Sequence, residues 1–189
     1  MPPQPDPTDT VGAEVLLRAV AFAAHRHRTQ RRKDRAKTPY INHPIEVASV
    51  LANTGGVRDL TVLVAAVLHD TVEDTGTRPE ELRAEFGRRV CSLVVALSDD
   101  KRLHKAVRKR LRIEHAPHLP RSAKLIKLAD LTSNLTGLAN SPPARWPLQR
   151  KQKYVDWAAR VAAGCRGVNP ALEAAFDQAL RRARRVLAK

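Results

Sequence analysis

Aromatic residues make up only 4% of this 189-residue chain, and it has just two cysteines. Cys91 and Cys165 form no CxxC pair and no zinc-type spacing, so both are expected to be buried free thiols in a reducing compartment. No apolar run approaches the roughly 20 residues needed to span a bilayer, and no membrane partner is expected. The opening stretch, MPPQPDPTDT, lacks the basic and apolar regions of a signal peptide. Four prolines in its first seven residues argue against a packed helix, so residues 1–10 are expected to be a disordered lead-in. A cytoplasmic protein is the resulting expectation. There is no internal repeat, no inter-domain linker and no convincing strand pattern.

What the chain does have is 43% hydrophobic residues, mostly Ala, Leu and Val, in periodic segments throughout. That pattern predicts an all-α fold, a single helical bundle over residues 11–189, long enough to enclose a real core. Helices are expected over 11–27, from Asn42-His43-Pro44 to Gly55-Gly56, from an Asp59 cap to Gly76, and then over 78–97, 99–115, 122–138, 144–165 and 170–187. Pro44 suits a first helical position, where no amide hydrogen is needed. That would hold His43 at the mouth of its helix.

The net charge is +15, concentrated in residues 25–37, 101–112 and 181–189. Such a field favours anionic partners. The terminal run of Arg181, Arg182, Arg184 and Arg185 reads as a solvated helix face. The Gly/aromatic interleaving of single-strand RNA binders is missing, which makes nucleic acid the lesser alternative.

Four residues carry the chemistry: His43, the pair His69-Asp70, and Asp130. The run HDTVED sits on the apolar segment 60–75, where buried ionised carboxylates cost several kcal/mol or more unless they are paired or hold a metal. On a continuous helix, positions four apart are only about 40° out of register. Glu73 would then lie over His69, and Asp74 over Asp70. Two imidazoles and two carboxylates suit Mn²⁺, Fe²⁺, Co²⁺ or Zn²⁺, and the lack of thiolates argues against a closed structural zinc. A cation of this kind lowers the pKa of water, and a neighbouring acid pair can orient or deprotonate that water. Hydrolysis is therefore expected rather than redox chemistry. Arg32, Lys33 and the basic cluster around Lys101 point to a phosphate ester as substrate. Lys127, Asp130 and Asn134 share one helical face.

The strings QRRKD…TPYINHPIEVA, LHDTVEDT and KLADLTSNL, in that order, resemble the hydrolase domain of the RelA/SpoT alarmone enzymes. The likeness is closest to their stand-alone branch, the small alarmone hydrolases related to the metazoan SpoT homologue, and it spans roughly residues 11–167. It implies an HD-fold, Mn²⁺-dependent enzyme using one ion, which removes the 3′-pyrophosphate from (p)ppGpp to leave GDP or GTP. It also implies that His43, His69, Asp70 and Asp130 are the metal ligands, and that Glu73 and Asp74 position the attacking water. Arg32 and Lys33 would meet the guanine and phosphate, Asn134 the nucleotide, and Tyr154 the ribose and phosphates. Lys101 and residues 108–112 would serve the 3′-pyrophosphate. Where the family pattern has basic residues, this chain has Leu131 and Thr136. That departure keeps two alternatives in play: a related nucleotide phosphohydrolase acting on ppApp or on the 2′-phosphate of NADPH, or a catalytically weakened alarmone- or nucleic-acid-binding module.

Overall fold

The computed structural model describes residues 7–188 and is all-α, with no strand among the described residues; a single antiparallel bridge joins Arg31 to Pro39. Among the described residues nine α-helices follow in order: α1 (Pro7–Arg26), α2 (Asn42–Ser49), α3 (Leu60–Leu68), α4 (Thr71–Thr75), α5 (Pro79–Leu97), α6 (Lys105–His115), α7 (Arg121–Asn140), α8 (Leu148–Ala163) and α9 (Pro170–Leu187). A π-helical turn, Val50–Thr54, prolongs α2, and a 3₁₀ turn, Ala116–His118, prolongs α6. Among the described residues no helix is long and apolar enough to cross a membrane.

The core forms around α3 and α7. In α3, LTVLVAAVL, six residues are buried, including Val64 through Leu68; each fully buried Val or Leu contributes roughly 1.5–3 kcal/mol. Helix α7 is buried on nearly every side, by Leu125, Ile126 and Leu128 on one stretch and Leu131, Leu135 and Leu138 on the next. A helix so enclosed is a central one. It packs most extensively on α9 and also meets α2, α3, α5 and α8, while α1 and α5 cover α3. The polar residues of α7, notably Lys127, Asp130 and Ser133, are therefore carried into the interior.

Several helix ends differ from the sequence expectations, each for a local reason. Helix α1 begins at Pro7, ahead of the expected residue 11, because proline fits the first helical turn. The rest of the expected lead-in, residues 1–6, lies outside the described residues. Pro44 is the third residue of α2 rather than the first, still inside the turn whose amides have no intrahelical partner. Helix α6 starts only at Lys105, where the His104 ring accepts from the Ala106 amide, and α8 starts only after Pro147.

The largest correction concerns HDTVED. Asp59 does cap α3, accepting from the Thr61 amide at 2.8 Å. However, α3 ends at Leu68, and a short α4 begins at Thr71 and closes at Gly76 in the left-handed region, φ 72°. His69 and Asp70 thus sit at a break between two helices, not within one. Gly87, at φ 83°, likewise divides α5 into two helical pieces.

Gly164, at the end of α8, tests this packing. A Cβ there would lie 2.7 Å from Pro117 Cδ and 2.9 Å from Ala116 Cβ, in the turn after α6. Gly164→Ala should overpack this contact and lower stability by about 1–3 kcal/mol. Urea denaturation should show a lower midpoint with an unchanged slope.

Candidate metal centre and substrate cleft

Two helices and a break between helices bring the ligand candidates together. His43 comes from the first turn of α2, His69-Asp70 from the α3–α4 break, and Asp130 from the middle of α7. Ligand atoms of His43, His69 and Asp130, all buried, lie within 4.8 Å of one another. Asp70 Oδ2 completes the group, 3.1 Å from His69 Nε2 and 3.8 Å from His43 Nε2. Asp130 Oδ1 is 3.3 Å from His43 Nε2 and 3.9 Å from His69 Nε2.

The hydrogen bonds around the group aim both imidazoles. His69 Nδ1 donates to the Ala66 carbonyl at 2.7 Å, leaving Nε2 turned toward the carboxylates. That buried Nε2 has no hydrogen-bond partner; its approach to Asp70 lacks the angle for one. His43 Nδ1 is 3.0 Å from Ser133 Oγ, whose own hydroxyl donates to Glu46 Oε2 at 3.0 Å. The acids are secured equally well. Tyr40 donates to Asp70 Oδ2 at 2.6 Å, and Asp130 accepts from Asn134 Nδ2 at 2.6 Å and from Lys127 Nζ at 3.2 Å.

Burial alone would raise both carboxyl pKa values. It is outweighed by His69 and His43 beside Asp70, and by Lys127 and the same imidazoles beside Asp130, so both stay well below the usual range. Burial would also lower the pKa of His69, but the Asp70 and Asp130 charges hold it at about 9. The carboxylates thus create a well for positive charge. An orphaned Nε2, two ionised carboxylates and two converging imidazoles fit a borderline divalent cation.

The acid pair diverges, contrary to the register expected of one continuous helix. Asp74 accepts from Lys101 Nζ at 2.5 Å and from Gln30 Nε2 at 3.2 Å. It lines a cleft of about 470 Å³ whose walls include Arg32, Lys33, Asn134 and Tyr154. Glu73 lines a second cleft of about 220 Å³, with Lys105, Arg108, Lys109, Arg112 and Arg150 around it. Its carboxylate accepts from Arg112 at 2.6 Å and from the Asp99 amide at 3.1 Å. Burial raises the Glu73 pKa, partly offset by Arg112.

Lys33, Trp146 and Tyr154 border both clefts. Tyr154 sits between Trp146, edge-on with ring centroids 5.7 Å apart, and Trp157, tilted with centroids 5.5 Å apart. Arg32 donates to Asn134 at 3.2 Å and lies over the Tyr40 ring, which ties the basic loop to α7. Of the basic stretch, Arg108 and Arg112 turn inward onto Glu73 and Asp99, whereas Arg110 pairs with Glu114 at the surface. Lys101, half exposed, reaches the site only through Asp74. The two departures from the family pattern also separate. Leu131 is 1% exposed and belongs to the core, so only Thr136 faces the cleft.

Sequence reasoning missed several partners. His27, within the basic stretch 25–37, is buried; its Nδ1 lies 2.7 Å from Gln30 Oε1, which backs the Gln30 amide that holds Asp74. Tyr40 and Glu46 lie inside TPYINHPIEVA and Ser133 inside KLADLTSNL, which is a faint signal; Trp146 and Asp99 carried none.

An all-helical bundle built around two imidazoles and two aspartates, with an acid pair and cationic clefts beside them, defines the HD class of metal-centred domains. Residues 19–160 match the HD domain family. Guanosine-3′,5′-bis(diphosphate) 3′-pyrophosphohydrolase MESH1 of Xenopus tropicalis is 52% identical over 87% of this chain and 92% of its own. The human protein of the same name is 51% identical over 87% and 92%. A solved structure of a metazoan orthologue of SpoT, described as hydrolysing ppGpp, superposes with a TM-score of 0.87 at 41% identity, covering 95% of this chain and 97% of that one. The chain belongs to the HD-domain family, among the relatives of the MESH1 pyrophosphohydrolases.

Arg112 is the keystone of the second cleft. Arg112→Met would leave Glu73 and Asp99 part-buried without their main cation, costing about 3 kcal/mol. Losing the cation raises the Glu73 pKa further. A buried carboxyl with a raised pKa destabilises the fold when ionised and ceases to do so once protonated. The deficit should therefore be largest at neutral pH and shrink as pH falls through that pKa, as urea denaturation at several pH values would show.

Proposed function

We propose that this protein is a Mn²⁺-dependent hydrolase that removes the 3′-pyrophosphate of guanosine alarmones. The products are GDP from ppGpp or GTP from pppGpp, each with pyrophosphate. The observation that carries this reading is the convergence of His43, His69, Asp70 and Asp130 beside a cationic double cleft, in a chain 52% identical to a named pyrophosphohydrolase. The four residues would hold one divalent cation, and the mixed nitrogen–oxygen donor set suits Mn²⁺. When bound, that cation supplies the Lewis acidity that makes water a nucleophile near neutral pH.

The remaining work falls to this chain's own side chains. Asp74, held by Lys101 and Gln30 at the edge of the larger cleft, orients the attacking water through its carboxylate. Glu73 has a pKa raised by burial and is suited to hold the proton that the water gives up. Arg32 and Asn134, already bonded to each other, form the wall against which the nucleoside lies. Lys33 stands at the junction of the two clefts, where the phosphates must pass. Burial lowers the Lys33 pKa, and the neighbouring Arg150 and Lys105 charges add to the effect. Lys105 and Lys109 in the second cleft would neutralise charge that develops on the leaving pyrophosphate, the kind of electrostatic stabilisation that usually dominates such transfers.

The test is hydrolysis of ppGpp, ppApp and NADPH in the presence of Mn²⁺, with products resolved by chromatography. GDP and pyrophosphate should form from ppGpp, and Asp70→Ala should reduce the rate at least 10³-fold, about 4 kcal/mol in barrier. Faster turnover of ppApp, or phosphate release from NADPH, would reassign the substrate within the same site. No turnover of any of the three by metal-loaded protein would leave a binding module.

A further inference from the structure

The two metal-centre histidines are oriented by different means. His69 donates Nδ1–H to the Ala66 carbonyl, a backbone group of its own helix, so its orientation is set locally by α3. His43 has no such backbone partner. Its Nδ1 meets Ser133 Oγ, ninety residues away on α7, and Ser133 meets Glu46 one turn along from His43 on α2.

The direction of these bonds follows from donor inventory. A carboxylate only accepts, so the single hydroxyl proton of Ser133 is committed to Glu46. Ser133 Oγ is then left as an acceptor, and His43 Nδ1 must be the donor. That selects the tautomer whose lone pair lies on Nε2, the atom facing Asp130 and Asp70. Ser133 is 1% exposed, whereas Glu46 stands at the rim of the larger cleft. Asp130, Ser133 and Asn134, spaced three and four apart, share one face of α7. The helix that supplies a carboxylate ligand thus also aims the imidazole contributed by α2.

We propose that Ser133 and Glu46 act as a positioning relay for His43, fixing its tautomer and strengthening its hold on a divalent cation. The inference rests on the metal-centre reading given above. The Glu46 carboxylate polarises the Ser133 hydroxyl, and the hydroxyl polarises Nδ1–H, which increases the electron density at Nε2. Partners of this kind, one bond removed from a metal, commonly change affinity 10–100-fold.

Mn²⁺ affinity measured by competition with a fluorescent chelator tests the relay without recourse to turnover. Ser133→Ala should weaken Mn²⁺ binding 10–100-fold, with helical circular dichroism retained and a modestly lower metal-free melting temperature, because the buried Nδ1–H loses its acceptor. Glu46→Ala should give a smaller loss, and Glu46→Gln should recover most of it, because its amide oxygen still accepts from Ser133. The double variant Ser133→Ala/Glu46→Ala should bind no more weakly than Ser133→Ala alone, since both act through one chain of bonds. Wild-type affinity in Ser133→Ala, or losses that multiply independently, would overturn the relay while leaving the metal centre intact. Failure of the unaltered protein to bind Mn²⁺ would overturn the metal-centre reading itself, and the relay with it.

Discussion

Two carboxylates, Asp70 and Asp130, face the same pair of imidazoles in the interior of a small helical bundle. Buried like charges are costly unless positive groups and hydrogen bonds surround them, and much of the fold can be understood as meeting that requirement. Lys127 is carried inward on α7 to bond Asp130, Asn134 binds the other oxygen, and Tyr40 closes over Asp70. Each of these groups is fixed by an element with its own apolar reason to be where it is. The cost of the acids is thereby spread across α2, the α3–α4 break, α7 and the loop that precedes α2.

The same constraint shapes the clefts. Once His69 and Asp70 end α3, the chain restarts as α4, and its two acids leave on different sides. Asp74 turns to the wall that α1 and the basic loop provide through Gln30. Glu73 is taken up by Arg108 and Arg112, which also pair with Asp99, so charge ties α6 to the centre while Ile113 packs against the core and α6 lies on α8. No residue of α6 is fully buried. Its inward arginines are thus both a wall of the second cleft and a charged tie between that helix and the centre.

How much could be read in advance varied with the range of the interaction. The helical class, the Asp59 cap, the Gly76 stop and the Lys127–Asp130–Asn134 face all rest on spacings within one turn, where 3.6-residue geometry is decisive. The break at His69-Asp70 was not legible, because the helical pattern of residues 60–75 runs through it without interruption. The buried state of His27 was equally hidden, since it lies in the basic stretch 25–37. Leu131 and Thr136 looked equivalent as losses of charge, and only their opposite faces on α7 tell them apart.

The order YINHP, LHDTVEDT, KLAD was enough to name four ligand candidates, two acids and a class of chemistry, because each motif is a short string whose residue types alone limit what it can do. Which atoms meet was decided only in three dimensions. His43 is aimed by Ser133 and Glu46, Asp74 by Gln30 and Lys101, and Glu73 by Arg112, across separations of up to ninety residues. Such pairings follow from how whole helices dock through their apolar faces, and no local pattern around either partner encodes them.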